Sequence, residues 1–129
     1  MNVYSFASCC DTENTYLANA CDDTIFVVDN RSKKIIANIE LSDQNLSFST
    51  SELHVTEDKI IAVPYYSNRI SVIEKNSCKV TNMEIERGER PVAFYACKVK
   101  NELWLLPQMT CSNMYVLNLN NLLDRKSVV

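Results

Sequence analysis

Apolar residues fall in short clusters between polar turns, and the clusters recur along the chain. Asp23-Thr24-Ile25-Phe26-Val27-Val28-Asp29 is one. At an offset of 45 positions stands Asn68-Arg69-Ile70-Ser71-Val72-Ile73-Glu74, and 44 further on stands Ser112-Asn113-Met114-Tyr115-Val116-Leu117-Asn118. Each reads as a polar turn, an apolar, a variable and two apolar positions, then Asp, Glu or Asn: a short strand between two turns. The stretch before each anchor also recurs. Glu57 to Pro64 matches Lys100 to Pro107, and Glu13 to Asn19 is the first copy, with Asn19 where the others have proline. Proline suits a strand end, because its missing N–H would break a ladder in mid-strand.

Two further elements complete the unit. Val3 to Cys10, Glu52 to Val55 and Val92 to Val99 are mostly apolar and precede a charged turn. Lys34 to Leu41 alternates with period two after the first anchor. Lys79 to Ile85 does so less strictly, which predicts a bulge there. Asn30-Arg31-Ser32-Lys33 and Lys75-Asn76-Ser77-Cys78 are polar tetrapeptides suited to hairpins. After Leu117 the third unit gives no clear fourth strand. No segment sustains a helical 3.6-residue stripe. The prediction is therefore all-β: about three four-stranded antiparallel, blade-like units at roughly 1–45, 46–88 and 89–129, the period of a β-propeller blade.

The stretch Asp23 to Asp29 with Lys33-Lys34 after it, and the corner Gly88-Glu89-Arg90-Pro91, resembles the repeats of bacterial YVTN-type propellers, which are similar in architecture to NHL and WD40 blades. There is no Gly-His or Trp-Asp pair, so the likeness is not to WD40 proper. The resemblance implies architecture only, because propellers host binding modules and enzymes alike. Closed propellers have about four to eight blades. Three units predict a partial propeller, half of a dimeric six-bladed ring, or an open stack or sandwich.

Composition narrows the functional classes. The net charge is −3 and the basic residues are scattered, with no concentrated phosphate-binding face, so nucleic-acid binding is not expected. No apolar run approaches the roughly 20 residues of a membrane-spanning helix, and no membrane association is expected. The start of the chain shows neither a basic lead nor an apolar stretch, which predicts a cytoplasmic, reducing location. The chain has one glycine, Gly88, and abundant asparagine at the expected turns. Asparagine is therefore expected to supply the left-handed turn positions that glycine usually fills.

No catalytic constellation emerges. The six cysteines, Cys9, Cys10, Cys21, Cys78, Cys97 and Cys111, show no Cys-x-x-Cys spacing and are expected to be reduced, buried core residues. His54, the sole histidine, lies mid-strand, facing opposite to Leu53 and Val55. The carboxylates Asp22-Asp23, Asp29, Glu57-Asp58 and Glu84/Glu86 mostly read as turn residues. Neither a metal site nor a cofactor is expected, and one glycine cannot build a phosphate loop. Trp104 is expected to pack in the core. The remaining candidates form a loop rim: Tyr65, Tyr66, Arg69, Arg90, Gln108 and Met109, residue types suited to a binding surface. The expected function is a non-catalytic protein-binding or scaffold module, with a protein partner or a second copy as its target. The alternative is a propeller hydrolase or lyase using loop carboxylates and His54.

Overall fold

A computed structural model of the chain describes residues 5–44, 50–64, 69–84, 94–107, 114–121 and 125–128. Among these residues, twelve strands form three four-stranded sheets. The first contains β1 (Ser5–Cys10), β2 (Asn14–Asn19), β3 (Thr24–Asp29) and β4 (Ile35–Glu40). The second contains β5 (Thr50–Val55), β6 (Lys59–Pro64), β7 (Arg69–Glu74) and β8 (Val80–Glu84). The third contains β9 (Phe94–Val99), β10 (Glu102–Pro107), β11 (Met114–Asn118) and β12 (Arg125–Val128). In each, strands pair with their sequence neighbours, all antiparallel, and no sheet closes into a barrel.

The registers superimpose. Asn14 pairs Asp29, Lys59 pairs Glu74 and Glu102 pairs Asn118, so these pairs hold one position in the three sheets. Counting from them, Tyr16, Ile61 and Trp104 are equivalent, as are Ile25, Ile70 and Met114.

Packing follows from the alternation of side chains across each strand. One face of the first sheet, with Tyr16, Ala18, Ile25 and Val27, packs against Leu53, Ile60, Ala62 and Ile73 of the second. The opposite face of the second sheet, with Ile61, Val63, Ile70 and Val72, packs against Leu103, Leu105, Tyr115 and Leu117 of the third. The face turned to the next sheet is termed forward here, and the other rear. Both faces of the second sheet are covered. That is why Ile60-Ile61-Ala62-Val63 is a continuous apolar run rather than an alternating one, and why all four are buried.

Several expectations are corrected. The third sheet has its fourth strand, β12, paired with β11 from Met114↔Val128 to Leu117↔Arg125. β12 is an edge strand, and its pairing with β11 identifies it where its sequence shows no alternation. The bulge expected in β8 is absent, since β7 and β8 pair in unbroken register; the register shifts instead at Val27/Val28 between β3 and β4, at Ser5/Ala7 between β1 and β2, and at Thr50/Glu52 between β5 and β6.

Among the described residues, asparagine does not supply the left-handed positions. Among the described residues, positive φ occurs at Lys33 (64°), Cys78 (59°) and Lys100 (53°). Lys33 and Cys78 close equivalent turns, their N–H groups donating to Asp29 O and Glu74 O at 2.8 Å. The asparagines act through their side chains instead: Asn30 Oδ1 accepts from Thr15 and its Nδ2 donates to Asp11 O at 3.0 Å. Asn68 and Asn113 lie outside the described residues.

Trp104 is half-buried on the forward face of the third sheet, while its neighbours Leu103 and Leu105 fill the core. Nor are the cysteines core residues. Cys9 is half-buried against the first core cluster; Cys10, Cys21, Cys78 and Cys97 are exposed thiols, since Cys10 points away from Cys9 across the strand and Cys21 and Cys78 sit in turns. Cys111 lies outside the described residues.

Candidate functional site

A cleft of about 810 Å³ opens between the first and second sheets, at the end where β1 turns into β2 and β7 into β8. Val27, Ile39, Val55 and Ile60 form its apolar floor. Its lip carries Asp11, Glu13, Glu57, Lys75 and Lys98, with Ile36 standing out from β4. An apolar floor with a few convergent polar groups, at this volume, is the usual form of a ligand site.

Asp11 and Lys75 organise the lip. Lys75 Nζ donates to Asp11 Oδ2 at 2.8 Å and to the Thr56 carbonyl at 2.6 Å, and lies 5.8 Å from the centre of the Tyr16 ring. The Tyr16 hydroxyl donates to the same Asp11 oxygen at 2.7 Å. Asp11 Oδ1 accepts from the backbone N–H groups of Glu13 (2.9 Å) and Asn14 (2.7 Å), an Asx turn that starts β2. In the equivalent turn of the second sheet Thr56 Oγ1 accepts from Lys59 N at 3.0 Å.

These contacts fix the protonation states. Burial pushes the Asp11 carboxyl up, but the hydrogen bonds from Lys75, the Asn14 N–H, Tyr16 and the Glu13 N–H outweigh it and hold the group well below the usual carboxylate range. Burial and then the bond to Asp11 push the Tyr16 phenol above its ordinary value. Burial, reinforced by Cys10, pushes the Cys9 thiol up to about 12, which removes it as a thiolate nucleophile near neutrality. Asp11, Tyr16 and Cys9 thus hold their protons, or lack them, across the neutral range, whereas a general acid or base needs a pKa near the working pH.

The Asp11 shift has a testable sign. The unfolded carboxyl takes up its proton first as pH falls, so Asp11 contributes fully above about pH 5 and progressively less as the solution is acidified through its folded pKa. Urea midpoints measured from neutral pH down to about pH 2 are expected to fall less steeply in Asp11→Asn than in the wild type. Parallel acid limbs would contradict this account of the turn.

Of the rim residues expected from the sequence, only Arg69 is described; Tyr65, Tyr66, Arg90, Gln108 and Met109 lie outside the described residues. Arg69 begins β7, at the opposite end of the second sheet from Lys75. Its guanidinium grips Asp23 of the first sheet with two bonds, Nη1 to Oδ2 at 2.7 Å and Nη2 to Oδ1 at 2.8 Å. Ser42 donates to the same carboxylate. The join continues through Ser71 Oγ donating to Asn82 Oδ1 at 2.6 Å and Asn82 Nδ2 donating to Leu41 O at 2.9 Å.

His54 stands on the forward face of the second sheet, its Nε2 3.2 Å from Glu52 Oε1; the other Glu52 oxygen accepts from the Ala96 N–H of β9 at 2.7 Å. It takes no part in the cleft. Among the described residues, no group of three or more His, Cys, Asp or Glu side chains is placed to hold a metal ion.

The cleft residues Asp11, Tyr16 and Lys75 were missed by sequence reasoning. One signal existed. Asn30 and Lys75 are equivalent, and each donates to the carbonyl of its own β1–β2 or β5–β6 turn, Asp11 O or Thr56 O. A lysine replaces the asparagine in the second unit, long enough to reach the preceding sheet as well.

No protein-family profile matches the chain, and no curated protein matches it in sequence. Solved structures do match in shape. The extracellular domain of a one-component system protein from B. thetaiotaomicron superposes with a TM-score of 0.74 at 11% identity, covering 95% of this chain and 16% of that one. Hydrazine synthase of Kuenenia stuttgartiensis superposes at 0.68 with 17% identity, covering 99% of this chain and 38% of that one. The chain thus spans well under half the length of either neighbour. At these identities the likeness is one of fold alone, an all-β arrangement of antiparallel sheets.

Proposed function

We propose that this chain is a propeller-type, non-catalytic protein-binding module, and that the cleft between its first and second sheets receives an extended segment of the partner. The observation that carries this reading is the cleft itself: apolar floor, charged lip, and an organising pair whose groups are all engaged with one another rather than poised for proton transfer. The propeller reading is supported by the three equivalent four-strand meanders stacked forward face on rear face, and by β1, β5 and β9 lying side by side as inner strands do in such rings. An extended peptide suits the cleft because β4 flanks it as an edge strand, paired only with β3, and presents Ile36 to solvent at 58% exposure.

The test uses the full chain and a display library of random peptides. Selected peptides are expected to bind the wild type and to lose at least about tenfold in affinity, roughly 1.4 kcal/mol, on Ile36→Asp, with the urea midpoint unchanged. Peptides that bind both proteins equally would overturn the cleft as the site. Turnover in an esterase and lactonase screen, lost on His54→Ala, would instead establish the hydrolase reading.

A further inference from the structure

We propose that the forward face of the third sheet docks the rear face of the first sheet of a second copy, so that two chains close head to tail. This stands apart from the cleft and does not depend on it.

The equivalence of positions carries the argument. Tyr16, Ala18, Ile25 and Val27 on the forward face of the first sheet are buried by the second sheet. Their counterparts Ile61, Val63, Ile70 and Val72 are buried by the third. By register, the same positions in the third sheet are Trp104, Leu106, Met114 and Val116. They are equally apolar, yet Leu106 is 37% exposed and the other three are only half-buried. Tyr95, directly across the ladder from Leu106, is 60% exposed. The surface that receives the next sheet twice within the chain is therefore uncovered the third time, and a contiguous apolar ladder of this kind marks an interaction face.

The complementary surface is also present. The rear faces that dock within the chain are built on Ile60, Ala62 and Ile73 in the second sheet and on Leu103, Leu105 and Leu117 in the third. The same register positions in the first sheet are Thr15, Leu17 and Val28, all half-buried, and Leu17 pairs across the ladder with apolar Phe26. One chain thus carries an unoccupied forward face and an apolar rear face of the types that pack together twice inside it. Two copies related by a two-fold axis satisfy both faces with two identical contacts and leave none open.

The mass of the full chain in solution tests this. The expected species is a dimer of twice the 14.7 kDa chain. Leu106→Glu and Leu17→Glu are each expected to yield monomers at the same concentration. Mixing these two variants restores one of the two contacts, so a dimer fraction returns. Ser77→Glu, exposed in the β7–β8 turn of the second sheet and on neither docking face, leaves the dimer intact. Trp104 is the sole tryptophan, so its emission in the unmodified chain reports the same event: a red shift on dilution that tracks loss of dimer. A wild-type monomer, an open series of larger oligomers, or variants that remain dimeric would overturn the proposal.

Discussion

Asp23→Ala is expected to destabilise the protein by roughly 3–5 kcal/mol, the range for removing one partner of a buried ion pair. Asp23 is 1% exposed and lies where the first sheet meets the second. Its carboxylate is held by both Nη groups of Arg69 and by Ser42, and its carbonyl accepts from Leu41 N at 2.8 Å. Removing it takes from Arg69, whose side chain is four-fifths out of water, the carboxylate that both its Nη groups hold. The cost comes from taking the facing carboxylate away from a largely buried charge as well as from the lost attraction. Replacing both partners with apolar residues, Asp23→Leu with Arg69→Met, is therefore expected to recover most of the loss, as buried ion pairs elsewhere behave. Urea denaturation of the two singles and the double variant measures the coupling. A loss below about 1 kcal/mol for Asp23→Ala would mean that Arg69 is free to serve a partner, as its position in the sequence suggested, rather than to join two sheets.

Much of the fold was legible because each strand carries its own local pattern. The anchors at Ile25, Ile70 and Met114 begin equivalent stretches of β3, β7 and β11, and the polar tetrapeptides after the first two are hairpin turns. What escaped notice depended on partners distant in sequence or on backbone pairing alone. The turn lysine and cysteine at positive φ carry no residue-type signal, since Asn outranks both in that region. β12 has an edge strand's sequence, and only its pairing with β11 reveals it. Trp104 was expected in the core from its place in a strong strand between Leu103 and Leu105, but strand alternation puts those two leucines inside and Trp104 on the opposite face.

The candidate site was less legible than the fold. Of the loop rim expected from the sequence only Arg69 is described, and it lies at the opposite end of the second sheet from the cleft. The groups that organise the cleft are 64 positions apart, Asp11 in the first sheet and Lys75 in the second. Asp11 reads locally as a turn residue, which it also is. Its second role appears only when two stacked sheets bring the lysine of one over the turn of the other.

The account rests on a second sheet enclosed by one neighbour on each face. Ile60 and Ile61 are adjacent on β6, both fully buried, and face opposite ways: Ile60 into the cluster shared with the first sheet, Ile61 into that shared with the third. The most direct measurement is the urea unfolding free energy of Ile60→Ala and Ile61→Ala taken separately. Each is expected to cost roughly 2–5 kcal/mol, the sum of lost transfer energy and the cavity left behind. If either variant is too unstable to measure, the Ile→Val pair gives the same comparison at roughly 0.5–1.5 kcal/mol each. Two losses of similar size are the predicted result. A large loss at one position with less than about 0.5 kcal/mol at its neighbour, the signature of a sheet with one face in water, would contradict the stacking on which every site described above depends.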